Sequence, residues 1–258
     1  MGKAWRLAVA AMGLLLVMAA PAGAQAPRLQ GIQGQDDRKP LDSQEWPWSA
    51  MGRVNQASRR TLGHCTGTLV APKVVLTAAH CLYNSALHRP AKPHEVHFLA
   101  GYRRGEALAT AVGERFILPP DYRPVEYPAV DDALSDWAFI VLKEPVTAVK
   151  PVPVRALPTA HLAGVKLVRA GYSQDRAHLL GVHRGCELSG VSRDGALMRH
   201  TCDATHGDSG SALLAETGEG PAIVGIAVGI IVDGKREIAN LAVSASRFEA
   251  AARDAGVP

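Results

Sequence analysis

After its first twenty or so residues the chain has no apolar run of membrane-spanning length, so no later segment reads as a transmembrane helix. Neither sign of charge dominates. Twenty-eight Lys and Arg against 24 Asp and Glu leave a formal +4, too little to argue for a nucleic-acid partner. The pairs Arg59-Arg60 and Arg103-Arg104 read as solvated faces. Cysteine is scarce, with four residues, and neither C-x-x-C nor H-x-x-x-H occurs. That removes the usual zinc-ligand spacings. No internal repeat or low-complexity array is present.

What the chain does have begins with a targeting segment. Lys3 and Arg6 precede an almost wholly apolar stretch from Leu7 to Ala20, and Ala22-Gly23-Ala24 supplies small residues for cleavage before Gln25. The expectation is a signal peptide over 1–24 that is removed. Residues 25–45 are polar and without period, as in a propeptide or a loosely draped N-terminal arm. Losing Lys3 and Arg6 brings the net charge to about +2. Cys65, Cys81, Cys186 and Cys202 in an exported chain read as two disulfides. Three pairings are open, of which the local one (Cys65–Cys81, Cys186–Cys202) closes two loops of equal span. The expected destination is a periplasm or the extracellular space.

From Trp46-Pro47-Trp48 onward, short apolar runs alternate with Gly, Pro and Asn, the pattern of many short strands. The runs are Thr66-Val70, Val74-Ala78, Glu95-Tyr102, Arg115-Leu118 and Trp137-Leu142, then Val165-Tyr172, Val182-Val191, Leu197-Cys202, Ser211-Leu214, Ile223-Val232 and Ile238-Val243. Between the two series, residues 144–158 hold four prolines and read as an extended connector. The expected division is a β-rich half over 46–150 and a second over 151–258. Asp233-Gly234 predicts a tight hairpin turn. Ser246-Arg247-Phe248-Glu249 fits a capping box for one short helix over Ala250 to Ala255, with Gly256 at its end. The fold class is all-β with a C-terminal helix.

Three segments carry chemistry. Gly207-Asp208-Ser209-Gly210-Ser211 sets a serine in a glycine-flanked turn. Serine is a poor nucleophile that needs a base and a site for the developing oxyanion, and the N–H groups of Gly207 and Ser209 can converge as that site. His80, in Thr77-Ala78-Ala79-His80-Cys81, follows an apolar strand and adjoins a cysteine, so it is the base candidate. Asp136 opens the apolar strand Trp137-Leu142, where a carboxylate needs a hydrogen-bond donor; the imidazole would supply one. Asp131 and Asp132 are rivals in a more polar stretch. His206 is placed at the cleft rim. His64, His88, His94, His97, His161, His178, His183 and His200 are assigned to the surface or to strand faces.

These segments resemble those of the chymotrypsin-like serine proteases, whose chain order is also His, Asp, Ser. The resemblance covers most of residues 46–246, including Cys65-Thr66-Gly67-Thr68-Leu69-Val70. It implies two antiparallel β-barrels packed face to face with His80, Asp136 and Ser209 in the cleft between them. Within that superfamily, Ile32 through Asp36-Asp37-Arg38 and the Ser-Gly-Ser at Ser209 resemble bacterial secreted V8-like enzymes. Glutamate-specific members place a histidine after the Gly-Ile of a pocket strand; here Ala227 and Val228 follow Gly225-Ile226 and are taken as substrate-binding. Asp203 lies where trypsin has its pocket-floor acid, and reads either as selecting Arg or Lys or as a hydrogen-bonded strand residue. Asp208 could accept a new α-amino group, released near Gly31 or Ile32, as in trypsin-type zymogens. The resemblance implies a serine endopeptidase acting on protein or peptide as a monomer, without cofactor or metal. The alternative is a non-catalytic binder on the same fold. An α/β-hydrolase esterase is disfavoured, because no G-x-S-x-G occurs at the serine.

Overall fold

The computed structural model describes residues 29–257 apart from 43, 57–62, 126–128, 193 and 234–235. The expected signal segment, the first residues of the arm, Arg59-Arg60 and the turn glycine Gly234 lie outside the described residues. Strand β1 (Lys39–Leu41) belongs to the arm. Then come β2 (Met51–Gln56), β3 (His64–Ala71), β4 (Val74–Thr77), a small hairpin of β5 (Tyr83–Asn84) and β6 (Arg89–Pro90), β7 (Val96–Ala100), β8 (Ala109–Ile117) and β9 (Ala138–Leu142). The second series is β10 (Leu167–Gly171), β11 (Leu180–Cys186), β12 (Leu188–Val191), β13 (Leu197–His200), β14 (Ala212–Thr217), β15 (Gly220–Asp233) and β16 (Arg236–Ser244), followed by α1 (Glu249–Asp254).

The first series closes into an antiparallel barrel in the order β2-β3-β4-β9-β8-β7. Alternation drives closure: along β7, Val96, Phe98 and Ala100 point inward and are fully buried, while His97 and Leu99 are half-buried. Along β9 every residue is buried. The second series forms an eight-stranded antiparallel sheet, β1-β11-β10-β14-β15-β16-β13-β12. It is a half-barrel with β1 and β12 at its edges, where the sequence led us to expect a second full barrel. The segment 144–158 runs between the two sheets: Val152 N–H bonds Leu69 on β3, and Arg155 N–H bonds Ile223 on β15.

Two local expectations are corrected and one strand is added. The arm is docked, not loose: Ile32 and Arg38 are 4% and 2% exposed, and β1 pairs with β11. β2 went unpredicted because Arg53, Asn55 and Gln56 dilute its apolar pattern. The capping box does not form. Ser244, not Ser246, caps the preceding 3-10 turn, and Glu249 accepts from the Ala156 N–H instead. The helix and its Gly256 terminus stand as expected, the latter with φ +81°. Phe248, at the start of α1, packs on Trp137 and Phe139 and thereby braces the end of β9 that carries Asp136.

Candidate active site

Both disulfides take the local pairing, Cys65–Cys81 and Cys186–Cys202. The first ties β3 to the 3-10 turn Ala79–Leu82 that follows β4 and carries His80. Asp136 is fully buried at the end of a 3-10 turn leading into β9. It holds His80 twice: the His80 backbone N–H donates to Oδ1 at 2.8 Å, and ring Nδ1 lies 2.7 Å from Oδ2. With Nδ1–H donating to the carboxylate, Nε2 is left as the acceptor. Burial pushes the imidazole pKa down, but the Asp136 charge and hydrogen bond outweigh it, and the net displacement is upward from 6.5. Asp132, a rival for this role, is exposed.

Ser209 arrives from the other sheet. Its carbonyl accepts the Thr66 N–H at 2.9 Å, and the Cys81 sulfur lies 3.7 Å from that oxygen and 3.9 Å from His80 Nε2. One disulfide sulfur therefore touches both residues. Gly210 permits the approach. At φ +79° it is in the left-handed region, and a Cβ there would sit 2.4 Å from the Thr66 oxygen and 2.4 Å from Thr77 Oγ1. Thr66 also clamps the turn before the serine: its hydroxyl donates to the Gly207 carbonyl at 3.0 Å and accepts from the Tyr172 N–H at 2.8 Å. Gly207 has φ +91°, which an L side chain rarely adopts. Among the described residues, neither the Gly207 nor the Ser209 N–H donates to a protein acceptor.

His80 and Ser209 share the wall of a cavity of about 300 Å³. Residues 204–206 and 227–230 also line it, together with Gln30 of the arm. Ala227, Val228 and the exposed His206 are among the residues that line it. Asp203 does not. It is fully buried, and its oxygens accept the arm's Gln33 N–H at 2.8 Å and Asp37 N–H at 2.9 Å. Burial would raise its carboxyl; the neighbouring His183 and the two arm N–H groups hold it below the ordinary value. The Arg/Lys-selecting reading of Asp203 is therefore corrected: the carboxylate anchors the arm.

Asp208 is likewise engaged. Arg169 Nη1 donates to Oδ1, while Ser173 Oγ at 2.7 Å and the Thr205 N–H at 2.9 Å donate to Oδ2. Several participants escaped sequence reasoning: Gln30, Arg38, His64, Thr66, Arg169 and Ser173. His64, assigned to the surface or a strand face, hydrogen-bonds the Tyr172 carbonyl at 2.8 Å beside Gly207, and burial, then the charge of Arg53, depress its pKa. His183 and His200 prove buried. Two clusters bear metal-ligand atom types. In one, Cys65 and Cys81 are joined to each other beside His80; in the other, Asp37, His183 and Asp203 include a buried carboxylate already committed to backbone N–H groups.

A family model described as Trypsin matches residues 36–251. The glutamyl endopeptidase of Bacillus licheniformis is 25% identical over 157 residues, 59% of this chain and 46% of that protein. Human serine protease 23 is 32% identical over 165 residues, 57% of this chain and 42% of that protein. The chain thus spans about half the length of the relatives it matches. Among solved structures, a Glu endopeptidase in complex with MPD superimposes with a TM-score of 0.67 at 23% identity, covering 86% of this chain and 98% of that one. At that identity the likeness speaks for the fold.

Proposed function

The chain belongs to the trypsin family, and from that premise we propose that it is an exported serine endopeptidase working through an acyl-enzyme. Ser209 Oγ attacks the scissile carbonyl and His80 Nε2 takes its proton. Asp136 fixes the imidazole tautomer and stabilises the imidazolium, and the N–H groups of Gly207 and Ser209 receive the oxyanion. His80 then returns the proton to the leaving amine, and water repeats the sequence on the acyl group. The observation that carries this reading is that His80, which lines the same cavity as Ser209, is held by a double hydrogen bond to the fully buried Asp136.

We read 46–150 and 151–258 as the two halves that meet at this cleft, after a removed leader over 1–24. Two disulfides suit a periplasmic or extracellular setting. Among the described residues no helix is long and apolar enough to cross a membrane. The P1 pocket is taken to accept an uncharged side chain. Asp203 is spent on the arm, and Asp208, the carboxylate on the cavity wall, is paired with Arg169.

Ser209→Ala is expected to lower kcat by about 10⁶-fold, with no further loss on adding His80→Ala, because the triad acts as a unit. Fluorophosphonate should label Ser209 covalently. A folded wild-type chain that neither labels nor hydrolyses peptide would return the protein to the class of non-catalytic binders, and near-wild-type turnover in Ser209→Ala would remove Ser209 as the nucleophile. Digestion of a peptide library reads the P1 residue, and a dominant Arg, Lys or Glu preference would refute the pocket reading.

A further inference from the structure

His64 opens β3, one residue ahead of the Cys65–Cys81 disulfide, and the catalytic scheme gives it no task. Its ring is nevertheless committed. Nε2 lies 2.8 Å from the Tyr172 carbonyl. A carbonyl oxygen only accepts, so the ring donates from Nε2, and in the neutral ring Nδ1 is bare. Burial, then the charge of Arg53, hold the imidazole below its ordinary pKa of 6.5 and so keep it neutral at pH 8.

The bond matters for what Tyr172 begins. Residues 172–174 leave β10 as a strap against the turn that carries Ser209. Tyr172 is fully buried; its N–H goes to Thr66 Oγ1 and its hydroxyl to the Tyr102 carbonyl, both at 2.8 Å. Two residues on, the Gln174 N–H donates to the His206 carbonyl at 2.7 Å. The His206–Gly207 peptide is trans. In a planar trans peptide the carbonyl and the following N–H point to opposite sides. Holding the His206 oxygen therefore sets the direction of the Gly207 N–H, one of the two donors assigned to the oxyanion. The parts are in close contact. A Cβ on Gly207 would lie 2.5 Å from the Tyr172 oxygen, 2.9 Å from His64 Nε2 and 3.0 Å from the Gln174 nitrogen.

We propose that His64 is a positioning residue: its Nε2–H anchors the Tyr172 carbonyl and, through the 172–174 strap, sets the His206–Gly207 peptide so that the Gly207 N–H faces the oxyanion. The inference rests on the hydrolase reading and adds a residue to it. His64 acts through the strap, not on the substrate, so its loss falls on the chemical step and spares ground-state binding.

The test compares the full chain at pH 8 with His64→Phe, which keeps a ring but loses the donor, and His64→Gln, whose amide nitrogen stands in for Nε2. Urea unfolding checks that each variant folds. Peptide hydrolysis gives kcat and KM. Fluorophosphonate gives a labelling rate, in a reaction that also directs an oxygen at the oxyanion donors. His64→Phe should lose about tenfold in kcat, short of the roughly 100-fold of a whole oxyanion donor because Thr66 and Ser173 still hold the strap. KM should stay nearly constant and labelling should slow in proportion to kcat, while His64→Gln should recover most of the loss. Wild-type kcat in a folded His64→Phe overturns the inference. So does an equal loss in His64→Gln, which would make ring packing the cause, or a loss carried by KM. In the wild type, the proton resonance of His64 Nε2–H should shift when Ser209 is phosphonylated. An unmoved resonance also overturns the inference, and this measurement decides the matter should His64→Phe fail to fold. A wild-type chain that neither labels nor hydrolyses peptide overturns the hydrolase reading, and this inference with it.

Discussion

The two halves of the molecule bury their polar groups on different terms. Among the described residues of the six-stranded barrel, Asp136 is the one buried carboxylate, set among apolar strands and small hydroxyls such as Thr66, Thr68 and Thr77. The half-barrel and its arm bury Arg38, Arg169, His183, His200, Asp203 and Asp208. The contrast follows from what each side has to hold. A base needs a fixed place, and a dry barrel with one disulfide and one carboxylate provides it. On the proposed reading the turn aims the Gly207 and Ser209 N–H groups at one point, which would turn the carboxylate between them inward, and a buried carboxylate needs a cation. The half-barrel therefore carries a network where the barrel carries a single pair.

The sharpest way to break the barrel side is Asp136→Asn. The amide cannot favour the Nδ1–H tautomer as the carboxylate does, and kcat should fall about 10⁴-fold. A second readout identifies the titrating group. His80 must be neutral to act, so kcat/KM falls as pH drops through its pKa, which lies above 6.5 in the wild type because Asp136 outweighs burial. With the charge gone, burial acts unopposed and the acid limb of the residual activity should move below 6.5. Rates measured from pH 5 to pH 9 decide this. An unmoved limb would assign the titration to some other group.

A comparison of the disulfides comes next in size. Both span 16 residues, so on loop closure alone each should contribute about 3 kcal/mol. Their neighbours differ. Cys81 touches both His80 and Ser209, whereas Cys186 and Cys202 sit in a satellite core with Leu167, Met198 and Leu213. Cys65→Ala/Cys81→Ala and Cys186→Ala/Cys202→Ala should lower the urea midpoint alike, yet the first pair alone should also lower kcat, by about tenfold or more for a displacement below 1 Å. Equal kcat losses in the two variants would mean that the first disulfide only stabilises.

The barrel side was the more legible in the sequence. His80 beside its cysteine and Asp136 at the head of an apolar strand are local signals, and the residue types announce the chemistry. The half-barrel's partners are separated by 39 residues for Arg169 and Asp208, and by 170 and 166 for the two arm contacts of Asp203. No periodicity reports such pairs. One signal was available: an arginine amid Leu167-Val168-Arg169-Ala170-Gly171 is out of place in a buried strand unless an acid awaits it, and Asp208 stood in the motif already singled out. The capping box misled for the converse reason. Its local logic was sound, but the Ala156 N–H competed for Glu249.

His200 offers the smallest effect and the cleanest contrast of sign. It is fully buried on β13 opposite Asn240 of β16, and burial, then the charge of Arg169, press its pKa from 6.5 down to about 3. Between those values the unfolded chain holds a proton on this ring that the folded chain refuses, so stability falls as pH drops below 6.5. The slope is about 1.4 kcal/mol per pH unit, or about 2 kcal/mol between pH 6.5 and pH 5. His80 works the other way: its raised pKa gives stability that is fully present below 6.5 and is lost as pH climbs through the folded value. His200→Leu removes one slope and leaves the other. Whatever constant cost the substitution carries, urea unfolding at pH 6.5 and pH 5 should show the variant gaining about 2 kcal/mol on the wild type across that interval. Parallel curves would mean that His200 takes up its proton within the folded half-barrel, and that the charge of Arg169 is not felt there.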